Sequence, residues 1–223
     1  MLMKFISKFK FFFFLFFLNN FCLYSQFDLH IKSGVNLSSV SISNSADGFD
    51  QPSGFVPAFH VGVILNSFLD EEYSIEYGII YNVKGYKVNS SGINVYNYST
   101  YLELPISLVY KLPSFNDINI KFGPYIAYGL KESIRNSIMK EFVKGRIGNH
   151  SEEGDTLKPI DFGLNLGADY HRNKIKFGLN LGYGLLNNRP GGGKGNAVRN
   201  VSSQFSIGYL INFKKNEEIK KKQ

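Results

Sequence analysis

From Phe27 onward the chain alternates apolar and polar residues with a period of two. Phe27, Leu29, Ile31, Val35 and Leu37 alternate with Asp28, His30, Lys32, Gly34 and Asn36. Phe59, Val61, Val63 and Leu65 alternate with Ala58, His60, Gly62 and Asn66. Tyr73, Ile75, Tyr77, Ile79 and Tyr81 alternate with Ser74, Glu76, Gly78 and Asn82. The same rule holds around Leu104, Ile120, Phe162, Phe177 and Ile207. A two-residue period marks a strand with one face in an apolar medium. The pattern predicts eight strands of about ten residues or more, the length a tilted strand needs to cross a bilayer.

The links between these strands alternate in length. Long links are predicted over 41–54, 87–94, 131–158 and 187–199, and short ones over Ser67–Glu72, Leu112–Asp117 and His171–Lys174. This alternation describes an all-β fold: an eight-stranded antiparallel up-and-down transmembrane β-barrel with both chain ends on the short-turn side. In bacterial outer-membrane barrels the short turns face the periplasm and the long loops face outward.

Alternation does not say which face meets lipid. A soluble barrel would turn the apolar face inward, but an eight-stranded barrel holds only roughly three layers of four side chains. The apolar register carries far more bulky groups than that. Gly34, Gly62, Gly78, Gly123, Gly129, Gly163, Gly167 and Gly178 fall on the polar register. Small residues suit a crowded interior, whereas on a solvated face they only weaken a strand. The 21 Phe and 14 Tyr also suit a lipid-facing wall with interfacial aromatics. The lumen is then lined by Asp28, His30, Lys32, His60, Glu76, Lys84, Glu103, Lys121, Asp161, Asp169, His171 and Lys176. Unpaired buried charge is costly, so these signs should pair. The expectation is a salt-bridged cluster of Glu76, Glu103 and Lys121 that closes the lumen.

Residues 1–26 read as a cleaved signal peptide. Lys4, Lys8 and Lys10 precede the apolar run Phe11–Leu18, which is too short to span a bilayer. An N-terminal anchor helix is the alternative reading of that run. Cys22 lacks the small residues and the upstream Leu of a lipidation site, and no other Cys is present. The barrel domain is expected over 27–213, followed by a cationic periplasmic tail, 214–223, with five Lys and two Glu. The formal charge of +7 therefore sits mainly at the two ends, and does not point to nucleic acid.

Candidate chemistry is sparse. His150 lies beside Ser151, Glu152, Glu153 and Asp155, the residue types of acyl transfer, but adjacency in a loop favours a solvated segment. His30, His60 and His171 lack metal-ligand spacing. Gly191–Gly195 lacks the frame and the Ser/Thr of a phosphate loop, and reads as a flexible hairpin. Ile134, Ile138 and Phe142, spaced by four, predict a short amphipathic turn. No catalytic, cofactor-binding or metal site is expected.

The segments His60–Val63, Tyr77–Tyr86, Tyr101–Ile106 (YLELPI), Phe122–Tyr128 and Asp161–Gly167 resemble the PorT-like outer-membrane β-barrel family of Gram-negative bacteria. The Tyr-Leu-Glu-Leu-Pro element is the most specific of them. The resemblance implies a closed barrel inserted by the outer-membrane assembly machinery. One departure is that ten residues follow Phe213, where such barrels usually end on the aromatic. The reading that results is a monomeric, non-enzymatic anchor or scaffold in outer-membrane lipid, with an extracellular ligand held through its loops and no nucleic-acid partner. The alternatives are a small-solute porin, an accessory component of a secretion or gliding machine, and a loop-borne enzyme centred on His150.

Overall fold

The computed structural model describes residues 27–44, 53–90, 92–115, 117–138, 141–192 and 196–211. Residues 1–26, read above as a signal peptide, residues 214–223, read as a tail, Phe213 and part of the Gly191–Gly195 run lie outside the described residues. The strands are β1 (Phe27–Asn44), β2 (Val56–Phe68), β3 (Tyr73–Ser90), β4 (Ile93–Lys111), β5 (Ile118–Asn136), β6 (Val143–Gly145), β7 (Ile160–Arg172), β8 (Ile175–Gly184) and β9 (Asn196–Ile211). Every pairing between them is antiparallel. The order runs β4-β3-β2-β1-β9-β8-β7-β5, and β4 pairs with β5 to close an eight-stranded ring. Closure leaves no free edge, as a bilayer requires. The ninth strand, β6, lies beside β5 above the point where β7 stops pairing.

The apolar register points outward. Ile31, Val35, Val63, Ile79, Leu104, Phe122, Leu166 and Phe205 are all exposed on the wall. Tyr73 stacks near Tyr110 at 5.1 Å, and Tyr170 near Phe177 at 6.5 Å, both beside the short turns. Aromatic pairs at that height suit a membrane interface. The polar register fills the interior, where glycine relieves crowding: a Cβ on Gly34 would collide with the Phe205 carbonyl and meet the His60 ring at 2.8 Å.

The short turns are built locally. Asp70 Oδ1 accepts from the amides of Glu72 (2.8 Å) and Tyr73 (2.6 Å), which bends the β2–β3 link. Asn173 turns β7 into β8 with a φ of 55°, a region Asn tolerates.

The long links are shorter than the hydrophobic pattern predicts, and one is absent. The expected loop 87–94 is a continuous hairpin: Lys87 pairs with Tyr96 and Ser90 with Ile93, leaving only positions 91 and 92 between the strands. Gly92 makes the turn at φ 84°, and the Asn89 amide donates to Asn94 at 3.0 Å. This part of the ladder extends past the lipid-facing stretch, so it needs no apolar alternation and the two-residue period ends before the strand does. For the same reason β5 runs to Asn136 and β9 begins at Asn196. Ile134 does not begin the amphipathic turn expected over Ile134–Phe142, of which residues 139 and 140 lie outside the described residues. Ile134 is in β5 and pairs with Val143 of β6, so strand pairing has overridden the spacing of four.

Candidate functional site

The lumen is filled in layers along the barrel axis. Nearest the short turns, the Asn119 amide donates to His171 Nε2 at 3.1 Å, and the His171 ring lies 6.3 Å from that of His30. Above them is a four-membered ring of charge. Lys121 Nζ lies 3.0 Å from Glu76 and 2.9 Å from Asp169. Lys176 Nζ lies 3.0 Å from Asp169 and also pairs with Glu76. Each carboxylate thus bridges two ammonium groups, an arrangement that offsets their desolvation. The space left beside this ring, lined also by Lys32 and Ile64, is about 10 Å3, room for about one water.

A second network crosses the middle. The His60 ring donates to Asn36 Oδ1 (2.6 Å), Asn36 donates to Asn82 (2.7 Å), and Asn82 donates to Glu103 (2.9 Å). Lys84 joins Glu103 at 2.8 Å and Asp161 at 3.6 Å, with its Nζ 4.2 Å from the centre of the Tyr125 ring. The Tyr125 hydroxyl and the Asn200 amide both donate to Asp161, at 3.0 and 2.8 Å. Tyr101, Tyr125, Ala127 and Leu157 pack as a small apolar core at this level.

The expected cluster of Glu76, Glu103 and Lys121 is therefore divided. Glu76 and Lys121 meet, but Glu103 belongs to Lys84 in the middle network. Register explains the split. Glu76 lies opposite Ser107, whereas Glu103 lies opposite Ile80, four positions along the same ladder. At about 3.4 Å per residue, that places the two acids at different heights. Lys176, Asp169 and Lys84 complete the two networks, and all three were visible on the polar register.

Above the middle network the lumen opens into a chamber of about 490 Å3 at the long-loop end. Its floor includes Asn200 and Leu157, and its wall includes Val40, Val88, Ile134 and Val198. Glu132 enters it because of a β-bulge. The β4–β5 register shifts between Thr100 and Tyr101, so Leu130 and Lys131 both face outward and Glu132 turns inward. One Glu132 oxygen accepts from the Asn97 amide at 2.6 Å and the other from the Thr156 hydroxyl. Glu132 and Asn188 were missed in the sequence because both lie in predicted loops.

Of the His150 group, Ser151 and Asp155 line the chamber, whereas His150, Glu152 and Glu153 are exposed on the rim. His150 is 63% exposed; its Nδ1 is 3.5 Å from Glu152, and the Ser151 hydroxyl donates to Glu152 at 3.4 Å. The hydroxyl and the imidazole thus both face the carboxylate. The Glu152 carboxyl is held below its ordinary value, first by its own backbone amide and then by His150. Arg146 pairs with Glu153 (2.9 Å) and with Asp155 (3.1 Å), tying the segment to β6. Among the described residues no group of three His, Cys, Asp or Glu is placed to hold a metal ion.

The structure is similar to solved outer-membrane proteins at low identity. Neisserial surface protein A shares 10% identity over 81% of this chain and 96% of its own, with a TM-score of 0.47. Ail, the attachment invasion locus protein of Yersinia pestis, shares 10% over 82% and 98%, with a TM-score of 0.43. The outer membrane protein OprG from Pseudomonas aeruginosa shares 15% over 84% and 97%, with a TM-score of 0.34. No curated protein matches the chain. A family model described as "Outer membrane protein beta-barrel domain" matches residues 18–188, most of the chain. Together with the closed eight-stranded ring and its apolar outer face, that match places the chain in the bacterial outer membrane, as a transmembrane barrel belonging to the outer membrane protein β-barrel domain family.

Proposed function

We propose that the protein is a non-enzymatic anchor whose barrel is closed and whose long-loop end faces outward as a recognition surface. One observation carries this reading: the ring of Lys121, Glu76, Lys176 and Asp169 leaves only about 10 Å3 beside it in the lower lumen. A conducting pore needs a continuous aqueous path, and paired buried charges resist being pulled apart. The test is reconstitution of the purified barrel in planar bilayers. The expected result is no large, stable conductance; a steady open channel would overturn the reading in favour of a small-solute porin.

On the same reading residues 1–26 are an export signal and 214–223 a periplasmic tail. Amino-terminal sequencing of the membrane-extracted protein should begin near Gln26 or Phe27. We place the chain in the PorT-like branch on the strength of the Tyr101–Ile106 element, without carrying over a role in secretion or gliding. Stable co-purification with such a machine would favour the accessory role instead. Turnover of lipid or peptide that is lost on His150→Ala would favour an enzyme.

A further inference from the structure

The chamber at the long-loop end holds a buried acid in a state that the other buried acids among the described residues avoid. Glu132 is only 2% exposed. The other buried acids among the described residues each face a cation: Glu76 and Asp169 face Lys121 and Lys176, Glu103 and Asp161 face Lys84, and Asp155 faces Arg146. Glu132 has an amide and a hydroxyl as partners and no ion pair among the described residues. Asn188 is 3% exposed, lines the same chamber and, like Gln204 on the polar register, has no hydrogen-bond partner on either amide atom among the described residues. A buried carboxylate without an ion pair and a buried amide without hydrogen-bond partners, both among the described residues, each carry a desolvation cost. A ligand that supplied the missing partners would remove it.

The chamber also has the size and the walls of a ligand site. Its volume of about 490 Å3 falls within the range of about 300–1,000 Å3 typical of small-molecule pockets. Aliphatic side chains form much of its wall, with the polar groups at defined points. Asn97 and Thr156 hold the Glu132 carboxylate in one orientation before anything binds. We propose that this chamber binds a small organic cation: an ammonium group paired with Glu132 on a compact apolar body packed against Val40, Val88, Ile134 and Val198, with Asn188 meeting a polar substituent. This rests on the reading of the long-loop end as the outward recognition face. Two acids, Glu132 and Asp155, and one cation, Arg189, are among the lining residues, so an anion would meet a wall of net negative charge. A sugar would find little aromatic surface to stack on, since Tyr86 is the one aromatic residue among the lining residues. A hydrated metal ion would gain nothing from the aliphatic wall.

The experiment uses the full barrel in lipid nanodiscs, with empty nanodiscs subtracted. The probes are butylamine, phenethylamine and tryptamine, with 2-phenylethanol and 3-phenylpropanoate as neutral and anionic counterparts of phenethylamine. Binding is followed by titration calorimetry, and heat-modifiable gel migration verifies that each variant is folded. At least one amine should bind saturably. Phenethylamine should exceed 2-phenylethanol by about tenfold, the scale of one charge-assisted hydrogen bond. Glu132→Gln should remove that preference while leaving the barrel folded. Asn188→Ala should weaken the best amine by a few-fold, and Val198→Phe should weaken it further by narrowing the chamber. Equal affinity for amine and alcohol, preference for the carboxylate, insensitivity to Glu132→Gln, or no saturable binding by any of the three amines would each overturn the proposal. A closed barrel that binds no amine removes this inference alone; a conducting barrel that binds amine removes the anchor reading alone.

Discussion

The lower lumen and the upper chamber are made from the same strands, yet they handle buried charge in opposite ways. Near the short turns, Glu76 and Asp169 share two lysines, and about 10 Å3 is left unfilled beside them. At the other end Glu132 is equally buried, has no ion pair among the described residues, and opens on about 490 Å3. Glycine and long lysine side chains let the lower ring collapse: a Cβ on Gly167 would stand 3.0 Å from Lys121 Cε. Among the described residues, no side chain fills the middle of the upper chamber. A region that settles its own electrostatics contributes stability, and a region that leaves them open can select a partner.

The largest effect should separate these two regions directly. Lys121→Met strands Glu76 and Asp169 on a single ammonium and should cost about 3–5 kcal/mol. Glu132→Gln removes a charge that has no ion pair among the described residues and keeps a hydrogen-bonding group in its place, and should cost about 1 kcal/mol. Urea unfolding midpoints in lipid vesicles measure both, and equal losses would erase the distinction. Next comes the lipid-facing wall. Ile79→Arg, near the middle of the exposed apolar band, should cost about 2–4 kcal/mol. Phe142→Arg, in the exposed link between β5 and β6, should cost under about 1 kcal/mol, mostly its contact with Arg135. Equal costs there would mean the band reaches higher than the strand pattern indicates.

A smaller contrast comes from adding volume at two heights. Ser206→Phe enlarges a residue beside the closed ring and should cost about 1–3 kcal/mol through overpacking. Val198→Phe enters the open chamber and should cost less than about 1 kcal/mol. Melting by the gel-shift assay orders the two variants, and a reversed order would show the lower lumen to be the looser one. The smallest effect is at Glu152 on the rim. Its folded value lies below its unfolded one, so its contribution is present above the ordinary carboxylate range and fades as pH falls through the lowered value. Carboxyl NMR should show Glu152 titrating below a typical exposed glutamate, and a midpoint at or above the ordinary value would contradict the backbone hydrogen bond assigned to it.

Much of the lower half was legible in the chain. His30, Lys32, Glu76, Lys121, Asp169 and Lys176 all occupy the polar phase of strands that must place one face in lipid, so their inward direction follows from alternation. The pairing of Glu103 was not legible. Which residues meet across a lumen depends on strand stagger, and stagger is set by turns and by hydrogen-bond register between distant segments. The upper half was less legible still. Above the bilayer neither face of a strand has to be apolar, so the two-residue period lapses and the hairpin around Asn89 and Asn94 reads as a loop. At Leu130–Lys131 the bulge reverses the inside–outside phase, so extrapolating the pattern of Lys121–Gly129 would have turned Glu132 outward.

The sequence by itself determined that eight strands alternate, that the apolar phase is too bulky to lie inside, and that a mixed-sign interior must pair. Those conclusions need only a side-chain period and a volume limit, both local properties of the chain. The tertiary structure decided that Glu103 belongs to Lys84, that two networks divide the lumen, and that a chamber whose Glu132 has no ion pair among the described residues lies above them. Those depend on register, stagger and one bulge, which exist only once distant strands have closed into a ring.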